Sequence, residues 1–230
     1  MRNIFKIEVK NNFVVKGISL EGVKRICEVT EIGKKTISSS FNEILIIDYT
    51  RSNFGLEPNF KAVKQISNIY NLPITYGGGI QNAAHVYELA RSGASRFYIN
   101  SAFRDPEAIG IIEGIASVVG RQALILGLEV RHFLNSVTCY NSSGREVCAL
   151  GVEERIKLVE KGLFGEVILT DIENDGTGAG FNFSILDSIP RSITVPKLIC
   201  GGINGIDKNS LEAFGIDGVV RCSRFLNLNN

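Results

Sequence analysis

The sequence predicts an α/β fold, a closed (β/α)8 barrel, and three observations lead to this prediction. Short runs rich in β-branched residues alternate with helix-like segments along the 230 residues. Eight such runs are present, and apolar strands separated by helices are typical of a parallel sheet that is covered on its outer face. An internal duplication also divides the eight units into two equal halves. Two matched halves favour a closed TIM barrel over an open doubly wound sheet, which remains the alternative.

The duplication consists of matched residues at a nearly constant separation along the chain. A glycine-rich turn, an aspartate, a glutamate and a serine each occur twice, 121 to 123 residues apart. We therefore predict one barrel domain over residues 1–230, built from half-repeats of about 1–120 and 121–230. The matched pairs are Glu8 with Glu129, Asp48 with Asp171, Ile80 with Ile203, and Ser101 with Ser223.

The elements follow one another in regular order. The predicted strands are Phe5–Val9, Ile44–Asp48, Ile74–Tyr76, Phe97–Ile99, Leu124–Val130, Val167–Thr170, Lys197–Ile199 and Val219–Val220. Helix-like segments between them include Asn82–Ser92, Glu153–Lys161 and Lys208–Phe214. Only residues 224–230 follow the eighth strand, so we predict a truncated final helix.

Composition excludes several classes of function. The net charge is +1 and no basic run stands out, which argues against nucleic acid as a partner. No apolar stretch reaches the roughly 18 residues that a membrane span requires, and the N-terminus lacks the apolar core of a signal peptide. Five cysteines without CxxC spacing and two histidines predict reduced thiols in the cytoplasm, with no metal site and no cofactor.

Two glutamates are the candidate catalytic residues. Functional groups of such barrels lie at the C-terminal ends of the strands. Glu8 and Glu129 end the first and fifth strands, which face each other across an eight-stranded barrel. Opposed carboxylates suit general acid–base catalysis; the alternative is a pair of solvated carboxylates at strand ends.

Repeated glycine and serine elements predict two phosphate sites at the same end. Glycine lets backbone N–H groups approach an anion closely, and a following helix offers its positive end. A Gly-Gly pair that merely ends a strand is the alternative, which the duplication disfavours. The candidate binding residues are Gly78, Gly79, Asn100, Ser101, Gly201, Gly202, Cys222 and Ser223, with Asp175, Gly176 and Thr177 in the turn after the sixth strand.

Four charged residues precede strands and so fall in one layer at the N-terminal end of the barrel. They are Arg2, Glu43, Arg96 and Glu166. Their alternating signs predict a salt-bridged ring, which in a barrel of this kind would ordinarily contribute to stability.

The combined motifs resemble the histidine-biosynthesis barrels, and among them most closely the cyclase subunits of imidazole glycerol phosphate synthase. The motifs that carry the resemblance are Val14–Gly17, Ile74–Ile80, Tyr98–Ser101, Asp175–Thr177, Gly201-Gly202 and Ser223. The resemblance implies a lyase that uses ammonia on a bisphosphorylated ribulosyl-type substrate, with Lys16 as a substrate contact. It also implies a heterodimer: a glutaminase subunit docks at the N-terminal face, and the charged ring gates the ammonia.

The chain departs from this family at the catalytic positions. The family has aspartates at the ends of strands one and five, whereas this chain has Glu8 and Glu129, and it has Arg96 where a lysine is usual. An added methylene displaces each carboxylate by roughly 1 Å, a shift that can cost about 10²-fold in rate. Two alternatives follow. One is a paralogue that supplies ammonia for sugar modification in surface-polysaccharide synthesis, either non-catalytic or with an altered substrate. The other is an isomerase similar to the phosphoribosyl aminoimidazole carboxamide isomerases, which share the duplicated barrel.

Overall fold

The computed structural model describes residues 1–36, 40–104, 107–134, 136–190, 192–203, 208–222 and 226. Its strands are β1 (Arg2–Lys10), β2 (Phe13–Ile18), β3 (Glu21–Glu28), β4 (Glu43–Asp48), β5 (Ile74–Gly77), β6 (Arg96–Ile99), β7 (Leu124–Phe133), β8 (Ser136–Asn141), β9 (Glu146–Val147), β10 (Glu166–Asp171), β11 (Lys197–Cys200) and β12 (Gly218–Arg221). Its α-helices are α1 (Ile32–Lys35), α2 (Phe60–Ile69), α3 (Ala83–Ser92), α4 (Ala108–Val119), α5 (Val152–Glu160) and α6 (Lys208–Ala213).

Eight of the strands form a closed parallel barrel, as the sequence predicts. The order around the barrel is β1, β4, β5, β6, β7, β10, β11 and β12, and the pairing of β12 with β1 completes the circle. All eight predicted strands and the three predicted helices are present, with bounds shifted by at most a few residues. The predicted truncated final helix falls on residues 224–230, of which only Leu226 lies within the described part of the chain.

Helix α3 illustrates how local sequence sets the bounds. It begins after Asn82, whose side chain accepts a hydrogen bond from the His85 backbone N–H, and such a cap satisfies one of the otherwise unpaired donors of the first turn. It ends at Gly93, which adopts a left-handed conformation that glycine tolerates best. None of the helices in the described ranges combines the length and the apolarity that crossing a bilayer requires.

Two antiparallel extensions were not predicted. Strands β2 and β3 continue from β1, and strands β8 and β9 continue from β7. Both follow the strand that carries one of the two glutamates, so the duplication extends to the architecture of these loops. The turns between these strands place several residues in left-handed conformations, among them Asn11 and Leu134.

The barrel interior is filled by side chains and is not symmetric between the two halves. The interior cluster contains Ile4, Leu45, Tyr98, Ile125, Ile168, Leu198, Cys200 and Val220. The Tyr98 ring lies over Gly127 of the next strand and beside Gly77 of the preceding one, so that a Cβ atom at either glycine would overlap the ring. Two glycines therefore provide the space for one tyrosine inside the barrel.

This packing predicts a specific stability effect. We expect Gly127→Ala to destabilise the fold by about 1–3 kcal/mol, because the added methyl group overpacks the interior against Tyr98. In a Tyr98→Ala background the same change should cost little, because the ring is gone. Urea unfolding of the two single variants and the double variant measures the coupling. Equal costs of Gly127→Ala in both backgrounds would contradict this description of the interior.

Candidate functional site

The predicted site residues gather at the C-terminal ends of the barrel strands, here called the mouth. One cavity at the mouth is lined by Gly78, Asn100, Ser101 and Glu129, and a neighbouring one by Gly79 and Ser101. A further cavity is lined by Lys16, Asp175, Gly176, Thr177, Gly201, Gly202 and Cys222. Ser223 lies outside the described residues. The glycine turns of the two half-repeats thus lie on separate concave surfaces at one end of the barrel.

The two glycine turns have matching backbone conformations. Gly78 and Gly79 have φ values of 133° and 70°, and Gly201 and Gly202 have φ values of 106° and 66°. Residues with a side chain rarely adopt these conformations, so the positions require glycine. A Cβ at Gly78 would also meet Asp48, and one at Gly201 would meet Asp171. The duplication is therefore conserved between the halves in backbone geometry as well as in sequence.

The matched aspartates organise the loops beside these turns. Asp48 accepts hydrogen bonds from the backbone and side chain of Thr50 and from the Asn59 side chain. Asp171 accepts hydrogen bonds from the Asn174 side chain and from the Asn182 backbone N–H. Their carboxylates are thus engaged in holding the loops in position.

Asn59 and Asn182 are a further matched pair that sequence analysis missed. They are 123 residues apart, the same separation as the aspartates that they contact. Each caps the helical segment that follows it, α2 and the 3-10 segment Phe183–Ser188 respectively. The repeat itself could have identified them, because each precedes a phenylalanine at the same separation.

Glu8 lies in a buried cluster of four charged side chains, here called the charge cluster: Lys6, Glu8, Lys16 and Asp175. The Lys16 Nζ lies 3.0 Å from both Glu8 carboxylate oxygens and 3.1 Å from Asp175 Oδ2. The Lys6 Nζ lies 2.8 Å from Glu8 Oε1 and 3.0 Å from Asp175 Oδ1. Two ammonium groups therefore alternate with two carboxylates, and the cluster is neutral overall.

Burial and mutual attraction act against each other in the charge cluster. Burial would lower the pKa of the Lys6 ammonium, but Asp175 and Glu8, with Cys200, hold it well above its ordinary value. The pKa of Lys16 is raised in the same way, since attraction to Glu8 and Asp175 outweighs burial and repulsion from Lys6. Burial would raise the pKa of Asp175, but the two lysines hold it below its usual range. All three groups are thus charged at neutral pH.

Lys6 is a site residue that sequence analysis did not single out. It lies in β1 between Ile4 and Glu8, and alternate residues of a strand face the same side, so it points into the barrel. Its half-repeat counterpart is Gly127, over which the Tyr98 ring lies. The sequence did contain a signal for this residue. Lys6 and Glu8 are two charged residues at alternate positions of one strand, and a barrel strand is buried on both of its faces.

Glu129 has a different environment from its counterpart Glu8. Its Oε2 is buried and has no hydrogen-bond partner in the part of the chain that the structure describes. Its Oε1 lies 3.5 Å from the Tyr98 hydroxyl, at the long limit of a hydrogen bond. Burial raises the pKa of Glu129 to about 7, although Lys6, Asn100 and Arg155 oppose the shift. This carboxyl group can therefore both donate and accept a proton near neutral pH.

The raised pKa of Glu129 predicts a pH dependence of stability. In the unfolded chain the group titrates near its ordinary value of 4.5, so between about pH 4.5 and pH 7 the folded state holds a proton that the unfolded state has lost. Its contribution to stability is thus complete below about pH 4.5 and is lost as the pH rises through about 7. We expect a loss of about 1–3 kcal/mol after allowing for partial exposure.

Urea unfolding of the wild type and of Glu129→Gln at a series of pH values isolates this contribution, because other groups titrate equally in both proteins. The stability difference between them should change over this pH range. A constant difference would show that Glu129 titrates at its ordinary pKa in the folded protein.

The predicted ring at the N-terminal end of the barrel is closed by ion pairs. Arg2 pairs with Glu43 at 2.5 Å and also with Glu166. Arg96 pairs with Glu43 at 3.5 Å and with Glu166 at 2.8 Å. The signs therefore alternate around the ring. Arg2 is 28% exposed and Glu166 only 1%, so one side of the ring reaches the surface while the other lies at the base of the interior.

The described residues do not form a metal centre. No group of three or more His, Cys, Asp and Glu side chains within them is arranged to hold a metal ion.

The turn residue Thr177 is exposed, and its Oγ1 donates a hydrogen bond to the Asn174 carbonyl and accepts one from the Ala179 N–H. Among the described residues, the mouth brings together carboxyl groups, ammonium groups and two glycine turns.

Comparison with known proteins relates this barrel to one family. The model of the family described as "Histidine biosynthesis protein" matches residues 4–228. Three similar proteins are each named imidazole glycerol phosphate synthase subunit HisF. That of Bacillus cereus is 30% identical over 224 residues, which are 95% of this chain and 87% of the relative. That of Pyrobaculum aerophilum is 27% identical, covering 95% and 86%, and that of Pyrococcus furiosus is 28% identical, covering 97% and 89%.

Proposed function

The chain belongs to the histidine biosynthesis protein family, and from this premise we propose that it is the cyclase subunit of an imidazole glycerol phosphate synthase-like glutamine amidotransferase. In this proposal ammonia from a glutaminase partner adds to a bisphosphorylated ribulosyl-type substrate at the mouth, and the intermediate then cyclises. The observation that carries the proposal is the placement of a titratable carboxyl group, Glu129, between two glycine turns of matching conformation. The relatives are named as HisF subunits of imidazole glycerol phosphate synthase, which favours the cyclase subunit over the isomerase alternative.

Substrate binding is assigned to the two halves of the mouth. The turn at Gly78 and Gly79 with Asn100 and Ser101 would hold one phosphate. The turn at Gly201 and Gly202, with Cys222 and Ser223, would hold the other. Glycine in these turns would let an anion approach the backbone N–H groups closely, and the Gly79 N–H would exchange its contact with the Ser52 Oγ for the phosphate. The separation of these two surfaces across one mouth suits a long substrate that carries a phosphate at each end. Lys16, Asp175, Gly176 and Thr177 line the space beside the second turn and would orient the middle of the substrate.

Proton transfer is assigned unequally to the two glutamates. Glu129 has a pKa of about 7, and a catalytic group is most effective when its pKa is near the working pH. Glu8 is fully buried and accepts hydrogen bonds from Lys16, which lines the mouth. Glu129 would therefore exchange protons with the substrate, while Glu8 would act once Lys16 turns towards the substrate and exposes it.

The partner is assigned to the opposite end of the barrel. The ring of Arg2, Glu43, Arg96 and Glu166 closes the interior at its base, and every member except Glu166 is partly exposed there. A glutaminase docked on this face would release ammonia beneath the ring. Ammonia would then have to pass the ring and the interior to reach Glu129, so the ring would act as a gate.

Removal of Arg96 tests this partner and this gate. Glu166 keeps its contact with Arg2 in Arg96→Ala, so the fold should lose only about 0–1 kcal/mol. We expect product formation from glutamine to fall, while product formation from added ammonium salts changes much less, because ammonium enters at the mouth. Parallel assays with the two nitrogen sources measure the ratio.

Arg91→Ala provides the matched control, because Arg91 is an exposed arginine on α3 that pairs with Glu88 within its own helix. The control should leave both activities unchanged. An equal decrease from both nitrogen sources in Arg96→Ala, or the absence of glutaminase binding at micromolar concentration, would contradict the gate and leave a purely structural ring.

The charge cluster favours a second candidate function. Lys6 places an ammonium group in the interior beneath the mouth, and together with Lys16 it covers the Glu8 carboxylate. A Glu8 carboxylate held by two ammonium groups is less available to a substrate, which suits an altered substrate or the delivery of ammonia to another enzyme for sugar modification in surface-polysaccharide synthesis. Absence of cyclisation with ammonium, together with intact glutaminase binding and activation, would favour this second candidate.

A further inference from the structure

Arg155 of α5 is a completely buried arginine next to the site. Its exposed fraction is 0%, and its Nη1 donates a hydrogen bond to Asn100 Oδ1 at 2.6 Å. Its Nη2 donates to Cys148 Sγ at 2.8 Å and to Asn141 Oδ1 at 3.3 Å. The Phe103 ring covers the guanidinium, with 4.3 Å between Cζ and the ring centroid. The cation is thus enclosed by amide oxygens, a sulfur atom and an aromatic face.

This guanidinium has no carboxylate partner among the described residues. Burial of an unpaired charge costs several kcal/mol, and buried charges are ordinarily paired with an opposite charge. Of the atoms that accept its hydrogen bonds, only the sulfur of Cys148 can acquire a full negative charge. The arrangement therefore favours a thiolate at this position.

A second cysteine stands directly across the sheet from Cys148. Strands β8 and β9 pair Tyr140 with Val147, and the next pair in this antiparallel register is Cys139 with Cys148. The Cys148 backbone N–H donates to the Cys139 carbonyl at 2.8 Å, which makes them a hydrogen-bonded pair. The Cα atoms of such a pair are about 5.5 Å apart, and disulfides join Cα atoms at about 4.4–6.8 Å.

The thiols also interact with each other. A hydrogen bond from Cys148 lowers the pKa of the Cys139 thiol, and the same interaction raises the pKa of Cys148. The Arg155 contact instead favours the charge on Cys148. Burial raises the pKa of both thiols, whereas Arg155 lowers it for both, so the charge left by the first proton belongs to the pair rather than to one sulfur.

We propose that Cys139 and Cys148 form a dithiol redox site, in which one thiolate pairs with Arg155 and a small-molecule disulfide converts the two thiols reversibly into an intrachain disulfide. The thiolate attacks one sulfur of the reagent, forms a mixed disulfide and expels one reagent thiolate. The second protein thiol loses its proton and attacks the protein sulfur of the mixed disulfide, which expels the second reagent thiolate. The protein loses two electrons, and the reagent gains them and takes up two protons, one of them from solvent.

The position of the pair makes the reaction feasible and reversible. Strand β9 is a two-residue strand at the end of the sheet path, and both of its residues are exposed, so local opening gives a reagent access to Cys148. Disulfide formation removes the thiolate that compensates Arg155. The oxidised state therefore carries a buried, uncompensated cation, so the disulfide should be readily reduced, as regulatory disulfides are.

The site is connected to the mouth. Arg155 contacts Asn100, which lines the mouth cavity with Glu129, and both Arg155 and Asn100 act on the Glu129 carboxyl group. Loss of the thiolate frees Arg155 to attract Glu129 more strongly. Oxidation should therefore lower the pKa of Glu129, a consequence that does not depend on the proposed cyclase function.

The test uses the full-length protein with oxidised glutathione, followed by alkylation of remaining thiols, digestion with trypsin and mass spectrometry. Arg145 lies between the two cysteines, so a disulfide joins the peptides 132–145 and 146–155. We expect this linked species from folded wild-type protein, its loss on treatment with reduced glutathione, and no linkage involving Cys27, Cys200 or Cys222. Cys148→Ser should abolish the linkage, and Cys27→Ser, as the control, should leave it unchanged.

A second measurement uses only the wild-type protein, so its result does not depend on whether a variant folds. Titration of the thiol pair by its ultraviolet thiolate absorption should show one thiolate at neutral pH, and oxidation should remove it. A linkage that appears only after denaturation, a mixed disulfide with glutathione that never resolves, or no thiolate at neutral pH would each overturn the proposal.

Discussion

Replacement of Glu129 by Gln should lower the rate of ammonium-dependent product formation by about 10²–10⁴-fold, the range that removal of a general acid–base group ordinarily causes. Gln keeps the size of the side chain and cannot exchange a proton at neutral pH. Substrate affinity should change little, because the glycine turns that would hold the phosphates are untouched. The wild-type rate should also depend on a group that titrates near pH 7, and this dependence should be absent in the variant.

Kinetic assays across pH, with substrate binding measured separately, check this expectation. Glu153→Gln serves as the matched control, because Glu153 is an exposed residue of α5 that pairs with Lys157 on the surface. A rate within a few fold of the wild type for Glu129→Gln would show that proton transfer at the mouth belongs to another group.

Replacement of Glu8 by Gln should lower the free energy of unfolding by about 3–5 kcal/mol, more than the other substitutions proposed for this protein. The change removes the anion of a buried ion pair and leaves the cation in place. Lys6 and Lys16 would then share Asp175 as their remaining carboxylate in the charge cluster, and one buried positive charge would be uncompensated. The pKa of Lys6 should fall as a result, since burial would no longer be outweighed by two acidic neighbours.

The double variant Glu8→Gln with Lys6→Met separates charge balance from simple loss of contacts. Removal of one cation together with one anion restores neutrality, so the double variant should be more stable than Glu8→Gln alone. Glu21→Gln, at the exposed start of β3, should have an effect within about 0.5 kcal/mol and acts as the control. A double variant less stable than Glu8→Gln would contradict the electrostatic description of the cluster. Urea unfolding at neutral pH measures all four proteins.

Patterns that repeat along the chain allowed most of the fold to be predicted. Strand periodicity and the 123-residue separation of the two glycine turns require no knowledge of distant contacts, and the turns indeed share one conformation. The charged ring was also predictable, because Glu43 and Glu166 start strands and a barrel brings strand starts into one layer.

Features that depend on contacts between distant segments could not be predicted. The charge cluster combines Lys6 of β1 with Asp175, 169 residues away, and no local pattern links them. Arg155 follows two glutamates in an apparently solvated stretch of α5, yet it is buried, because its side chain reaches beneath the loop that contains Cys148. Strands β2 and β8 were missed for a similar reason, because each pairs with a strand that was already assigned to the barrel, β1 and β7 respectively.

The incorporation of ammonia is the step that defines the proposed activity, and isotope labelling measures it directly. Wild-type protein would be incubated with ¹⁵N-ammonium and a bisphosphorylated ribulosyl-type substrate at neutral to slightly alkaline pH, and the products would be analysed by mass spectrometry. We expect a cyclised product that carries the label, formed by the wild type and about 10²–10⁴-fold more slowly by Glu129→Gln. Unlabelled or unconverted substrate, at concentrations where the wild type demonstrably binds it, would contradict the assignment of this barrel as an ammonia-using cyclase.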